Sequence, residues 1–275
     1  MQILHTRSSD GTRLRLARWN EDGDKDILLV HGLAEHLGRY QHIGEYFASQ
    51  GWRVTFLELR GHGESEGKRG HVRLWINYVE DVQAAMGTVG RPMVIVAHSM
   101  GGLVTLATMQ HSMTPKVHCV ALSNPLLGLF TDPPKLKVLG GRLLSKIVPT
   151  LALSNEQNPE HMSRDAEVVR AYANDPLVFD KITTRWGAEM LKKMQDINDH
   201  AASFSLPLLM MIGGCDQVCS PDSARAFVNN YGGTAQTKEY HQCYHELFNE
   251  PEKYEIMADL NNWLTQQWPE QTPSS

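Results

Sequence analysis

One serine in this chain stands where a serine can do chemistry. Val94-Ile95-Val96 reads as a buried strand, and Leu103, Val104, Leu106 and Ala107 read as the helix that follows it. Ser99 sits at the turn between them, with Ala97 two residues before it and Gly101 two residues after. A serine hydroxyl is a poor nucleophile unless it is held exposed beside a base. A sharp strand–turn–helix holds it that way and leaves no room for large side chains two positions to either side. It also aims the first N–H groups of the new helix at developing negative charge. The alternative is a strand running through a Gly-rich turn into an ordinary helix.

A base and an acid in the right places would decide between these. In an open parallel sheet, sites form where strands end at the carboxyl edge. Asp216 follows the apolar run ending at Ile212, and His245 follows the run 235–240 by a short loop. The order Ser99, Asp216, His245 is the one expected of a serine nucleophile on a strand-to-helix elbow. In that scheme Ser99 attacks an acyl carbon, His245 takes and later returns its proton, and Asp216 orients and supports the imidazolium. The backbone amides of Met100 and of Leu33, which follows His31-Gly32, would form the oxyanion hole. Other readings stand beside this one. Asp216 is also a residue that caps turns, and His241, one of thirteen histidines, is the second candidate base. His241, Cys243 and His245 alternate as strand neighbours would, but no Cys-x-x-Cys pair or clear fourth ligand supports zinc, and no metal is expected.

The elements that must position these residues alternate. Extended runs at 2–8 and 12–19 flank Ser9-Asp10-Gly11, a hairpin signal. Asp26–Val30 and Trp52–Leu57 are strands, with a helix over 40–49 between them. A second helix, over 72–88, leads to the elbow strand, and Val117–Leu122 follows as another strand. From 126 to 204 the rhythm breaks into helical patterns and proline-marked turns with no convincing strand. It resumes with Leu206–Ile212, a helix over 222–230 capped by Ser220-Pro221, a strand over 235–240 and a closing helix over 251–263. A short polar tail, 269–275, ends the chain. This predicts an α/β protein with a mostly parallel twisted sheet of about eight strands flanked by helices. Its core is expected from 1–125 and 205–275, and a helical cap from the insertion 126–204.

With 275 residues, the chain is long enough for a large core. A net charge of −5 argues against a nucleic-acid partner. No apolar run approaches about 18 residues, so no spanning helix is expected. The first residues lack the apolar core of a signal peptide. Four cysteines, Cys119, Cys215, Cys219 and Cys243, make no disulfide framework in a chain of this length. A cytoplasmic protein with free thiols is expected, peripheral to a membrane at most.

Three stretches carry a family resemblance: His31-Gly32-x-x-Glu35-His36-x-x-Arg39-Tyr40, Arg60-Gly61-His62-Gly63-x-Ser65-x-Gly67 and His98-Ser99-Met100-Gly101-Gly102. Ser163-Arg164, Tyr172-x-x-Asp175-Pro176-Leu177 and Tyr244-His245-Glu246-Leu247 add to them. Together they resemble the monoacylglycerol lipases and lysophospholipases of the α/β-hydrolase fold, over nearly the whole chain. Ala97 and Glu58 depart from the pattern, standing where the family has glycine and often aspartate.

The resemblance implies the triad Ser99, Asp216 and His245 with the Leu33 and Met100 oxyanion hole. It also implies a pocket for a polar head such as glycerol, shaped by Glu35, Arg39, His98 and Tyr172. It implies a cofactor-free serine hydrolase of single-chain acyl esters, monoacylglycerol first. Lysophospholipids or general esters come second, and a ligand-binding protein without catalysis is the reading of another class. In the insertion, Leu136, Leu139, Leu143 and Ile147 share a helical face edged by Lys135, Arg142 and Lys146. The expectation favours that face burying itself over the site, with only transient contact with an anionic membrane.

Overall fold

The computed structural model describes residues 1–112, 116–131 and 133–269. Eight strands form one sheet: β1 (Gln2–Arg7), β2 (Arg13–Trp19), β3 (Lys25–Val30), β4 (Trp52–Leu57), β5 (Met93–His98), β6 (Val117–Ser123), β9 (Leu208–Gly213) and β10 (Ala235–Tyr240). Their spatial order is β1-β2-β4-β3-β5-β6-β9-β10. The first two strands pair antiparallel, β2 joins β4 antiparallel, and every later pairing is parallel. The α/β architecture with about eight strands is therefore as expected. β3 and β5 are apolar almost throughout because both faces of a central parallel strand are covered.

Alternation along β3 divides the core in two. Leu28 and Val30 face α2 (Ile76–Val89) and α3 (Met100–His111), in the layer that α7 (Pro221–Asn229) completes over β9 and β10. Ile27 and Leu29 face α1 (Gln41–Ser49) and α8 (Lys253–Gln267). Because β3 lies between β4 and β5, the chain reverses its direction of travel across the sheet at β3. The crevice at such a switch point is where α/β sheets place their sites. The loop after β3 and the turn after β5 both open into it.

Four sequence expectations need correction, three of them in the extent and type of the elements. Residues 72–75 are not helical, and α2 begins at Ile76. Val72 and Trp75 nonetheless enter the core, which is why their spacing resembles a helix. The closing helix runs on to Gln267, because polar Thr265, Gln266 and Gln267 carry no stop signal and Pro269 ends it. The insertion does contain strands. β7 (Ala152–Ser154) pairs antiparallel with β8 (Lys181–Thr183). They join α4 (Lys135–Ile147), α5 (Ala166–Asn174) and α6 (Thr184–Asp199).

The helix expected between Pro134 and Pro149 is continuous through Gly140-Gly141 as α4, but its apolar face is not buried. Leu136, Leu139, Leu143 and Ile147 are 81%, 65%, 59% and 67% exposed. Periodicity shows that one face of a helix differs from the other; it does not say which medium that face meets. The tail from 270 lies outside the described residues.

Candidate active site

Ser99 stands between β5 and α3 with φ 51° and ψ −120°, a conformation costing about 1–3 kcal/mol that needs support from its surroundings. Its N–H donates to the Ser123 carbonyl at 3.0 Å, and its own carbonyl accepts from Gly102 and Leu126, each at 2.9 Å. Gly101 is required here: a Cβ on it would lie 2.5 Å from the carbonyl oxygens of Val30 and His31. Ala97 fits where a glycine is usual, buried between Val30 of β3 and Leu122 of β6.

The other two groups converge on the serine. His245 Nε2 lies 3.0 Å from Ser99 Oγ, and its Nδ1 lies 2.8 Å from Asp216 Oδ2. The second carboxylate oxygen of Asp216 accepts from the amides of Val218 at 2.7 Å and Cys219 at 3.1 Å. Capping the turn and holding the imidazole are thus two uses of one carboxylate. His241 instead points to solvent beside Glu239, and Cys243 lies against the Arg164 guanidinium. The three alternating residues considered for zinc therefore turn to different neighbours.

Burial pushes the His245 pKa down, but the Asp216 carboxylate and its hydrogen bond, helped by Glu246 and Glu35, raise it above the usual 6.5. A general base must be neutral to take a proton. Activity on an uncharged ester is therefore expected to rise with pH through a midpoint above 6.5. A pH–rate profile tests this, and a midpoint below 6 would assign the base to another group.

Leu33 and Met100 lie on the two loops that meet at the crevice. Neither backbone N–H has a partner among the described residues. The turn before Leu33 is held from several sides. Gly32 N–H donates to Glu35 Oε2 at 2.6 Å, and the Tyr40 hydroxyl donates to the same oxygen at 2.6 Å. His31 receives the Leu59 N–H at Nε2, so its Nδ1–H donates to the Gly32 carbonyl. Only the neutral ring satisfies both bonds, and burial holds its pKa well below 6.5.

Glu35, Arg39 and Tyr172 form a buried cluster with Glu246. Arg39 pairs with Glu246, lies 3.8 Å from Glu35 Oε1, and stacks 4.6 Å from the centre of the Tyr172 ring. Burial, with repulsion from Glu246, raises the Glu35 carboxyl to about 7 against the pull of Arg39. His98 packs its ring 4.6 Å from that of His245 and donates Nδ1–H to the Ser123 carbonyl. Burial keeps His98 neutral, and His245 lowers it further.

Ser99 and Leu33 also line a separate cavity of about 610 Å³ beneath the insertion. Its walls include Leu126, Leu129, Val138, Ile182, Trp186 and Met190, and not Glu35, Arg39, His98 or Tyr172.

Sequence reading passed over three contributors. Glu58 receives the N–H groups of Leu37 and Glu64, joining the loop after β3 to the Gly61-His62-Gly63 loop. Cys219 Sγ is 3.9 Å from Ser99 Oγ. Asn124 joins β6 to the His245 loop.

A mostly parallel sheet with serine, histidine and aspartate gathered at its carboxyl edge defines an α/β-hydrolase. The serine aminopeptidase S33 family model matches residues 22–252, and the chain belongs to that family. It is 31% identical to a monoacylglycerol lipase of Mycolicibacterium smegmatis, over 92% of this chain and 93% of that one. It is 31% identical to phospholipase YtpA of Bacillus subtilis, over 84% of this chain and 91% of that one. The solved monoacylglycerol lipase of Paleococcus ferrophilus superposes with a TM-score of 0.84 at 28% identity, covering 93% of this chain and 99% of that one. The chain is a carboxylic ester hydrolase.

Proposed function

We propose that the protein hydrolyses single-chain acyl lipids, monoacylglycerol to glycerol and fatty acid in the first place. The observation that carries this is the cavity of about 610 Å³ into which Ser99 opens, whose apolar walls Leu126, Leu129, Val138, Ile182, Trp186 and Met190 stand beside polar ones such as Lys137, Arg142, Glu156 and Gln157. A cavity of this size with a continuous apolar wall beside its nucleophile suits a ligand with one long apolar arm. The relatives named as monoacylglycerol lipases and a phospholipase support a lipid ester as substrate.

In this reading the chain lies in the cavity and the ester carbonyl rests at Ser99. His245 takes the Ser99 proton as Oγ attacks, and the Leu33 and Met100 amides hold the oxyanion. His245 then gives that proton to the departing alcohol. The acyl-enzyme is hydrolysed by water activated in the same way. Glu35, Arg39, His98 and Tyr172 do not line that cavity, and their part on the alcohol side rests on the family resemblance alone. No metal or cofactor takes part. Residues 126–204 act as a cap over the core formed by the segments on either side. The test is turnover of a long-chain monoacylglycerol, a lysophosphatidylcholine, a diacylglycerol, a short aryl ester and an aminoacyl amide. Preference for the monoacylglycerol is expected. Turnover of the short ester alone would overturn the lipid reading, and preference for the amide would make the enzyme a peptidase.

The exposed face of α4 belongs to the same proposal. No described helix is long and apolar enough to cross a membrane. A helix with five exposed large apolar residues, Leu144 among them, and with Arg142 and Lys146 exposed beside them, suits the surface of an anionic bilayer. The protein then works from the cytoplasmic side, where its four free thiols stay reduced. Burying one leucine is worth about 1.5–3 kcal/mol. The double substitution Leu139→Ser and Leu143→Ser is therefore expected to cut turnover of vesicle-embedded monoacylglycerol at least tenfold. Turnover of a soluble short ester should stay unchanged. Wild-type turnover of both substrates by the variant would remove α4 from the membrane role.

A further inference from the structure

The catalytic scheme leaves one buried polar side chain at the centre of the site without a part. Asn124 follows β6 and is 4% exposed. Its Nδ2 donates to the His245 carbonyl at 2.7 Å and to the Tyr244 carbonyl at 3.0 Å. Its Oδ1 accepts the Gly213 N–H at 2.7 Å, at the end of the strand that leads to Asp216. The carboxamide has one orientation that meets two carbonyls and one N–H, so every bond here fixes it.

The backbone around it completes the hub. Asn124 N–H donates to the Met211 carbonyl in β9 at 2.9 Å, and the preceding Ser123 carbonyl accepts the Ser99 N–H. The residue has φ 42°, in the left-handed region that asparagine tolerates better than most side chains. Gly213 leaves room for this contact, since a Cβ there would lie 3.0 Å from Asn124 Nδ2. Two adjacent residues thus touch the backbone of all three segments that carry Ser99, Asp216 and His245.

We propose that Asn124 is a positioning residue for the reaction, its carboxamide fixing the His245 loop against the strand that carries Asp216 so that the imidazole meets Ser99 and Asp216 together. It touches neither substrate nor reacting atoms. His245 is held through its own carbonyl, so a shift of that carbonyl moves the ring. Misplacement of a catalytic group by about 1 Å can cost on the order of 100-fold in rate. This inference rests on the triad proposed above.

The test uses Asn124→Gly, which keeps the positive φ open and removes the carboxamide. A second variant, Asn124→Asp, keeps the acceptor for Gly213 but turns a carboxylate toward two carbonyl oxygens. An aryl alkylphosphonate that labels an activated serine reports two quantities, the fraction of sites labelled and the rate of labelling. In both variants the labelling rate and the kcat on a soluble short ester are expected to fall roughly 10- to 100-fold. KM should stay within about threefold. The acid limb of the pH–rate profile should move to lower pH, because a looser His245–Asp216 bond raises the imidazole less. A variant that labels fewer sites at the wild-type rate has lost folded protein alone, and that result overturns the proposal. So does an unshifted pH profile. Wild-type protein that the phosphonate does not label at Ser99 overturns the triad itself. A labelled wild type with equally fast variants overturns only the role of Asn124.

Discussion

Ser99→Ala is expected to lower kcat/KM on every ester that the protein hydrolyses by roughly 10⁴- to 10⁶-fold, as removal of a nucleophile from a working triad does. The fold should survive the change. Alanine and serine both carry a Cβ, so the backbone at φ 51° is no more strained in the variant. The bonds that hold this turn run through the main chain, from Ser99 N–H to Ser123 and from Gly102 and Leu126 to the Ser99 carbonyl. What disappears is the Oγ facing His245 Nε2 at 3.0 Å and a long contact to Cys219 Sγ. The residual rate then comes from the oxyanion donors and from binding. Steady-state kinetics beside a thermal melt checks both halves. A variant that melts like the wild type and keeps a tenth of its activity would remove Ser99 from the chemistry. The same variant is the blank for the substrate series, since any turnover it retains does not pass through a Ser99 acyl-enzyme.

The parts of this site legible in the sequence are those with a local signature. β3 and β5 announce themselves as short apolar runs because a central parallel strand is covered on both faces. The elbow at Ser99 is legible because sterics force small residues on both sides of one serine. The order Ser99, Asp216, His245 is legible because each follows a strand whose carboxyl end must face the crevice. Glu58 and Asn124 carry no such signature. The carbonyls that Asn124 meets stand 120 and 121 residues further along the chain, and nothing in Ser123-Asn124-Pro125 points to them. β7 and β8 are three residues each, and β7 is exposed throughout. Neither is long enough to show alternation, and their pairing depends on a contact that only the folded insertion makes. The α4 face is a different failure. The pattern was read correctly, yet the same amphipathic stripe serves a helix lying over a core and a helix facing a bilayer. Glu35 and Arg39 show that difficulty for charge. Their spacing fits a local ion pair, while the structure turns Arg39 to Glu246 as well and commits Glu35 Oε2 to Gly32 N–H and Tyr40.

Asp216→Asn is expected to cost about 10⁴-fold in kcat, the loss seen when a triad acid becomes an amide. The reason lies in how the two oxygens of Asp216 are used. Oδ1 receives the N–H groups of Val218 and Cys219, and both are donors that an amide nitrogen cannot replace as partner. An asparagine at this position therefore keeps its oxygen on that side and turns its NH₂ toward His245. That NH₂ is a donor where the carboxylate was an acceptor. His245 Nδ1 must then accept, which places the ring proton on Nε2, pointing at Ser99 Oγ. The imidazole becomes a donor to the serine and cannot take its proton. Loss of the carboxylate also removes the main influence raising the His245 pKa above 6.5, so the ring stays neutral further into acid. A shift of pH does not restore activity, because the fault is the tautomer and not the charge. Folding is preserved, since the turn keeps both of its caps. A pH series of kcat from 6 to 9 on the wild type and the variant tests the argument. A deficit near 10⁴ on the plateau above the wild-type midpoint, narrowing toward pH 6 where the wild type protonates its own base, is the expected result. A loss below tenfold would leave Asp216 as a turn cap and nothing more, and His245 would then need another partner to orient it.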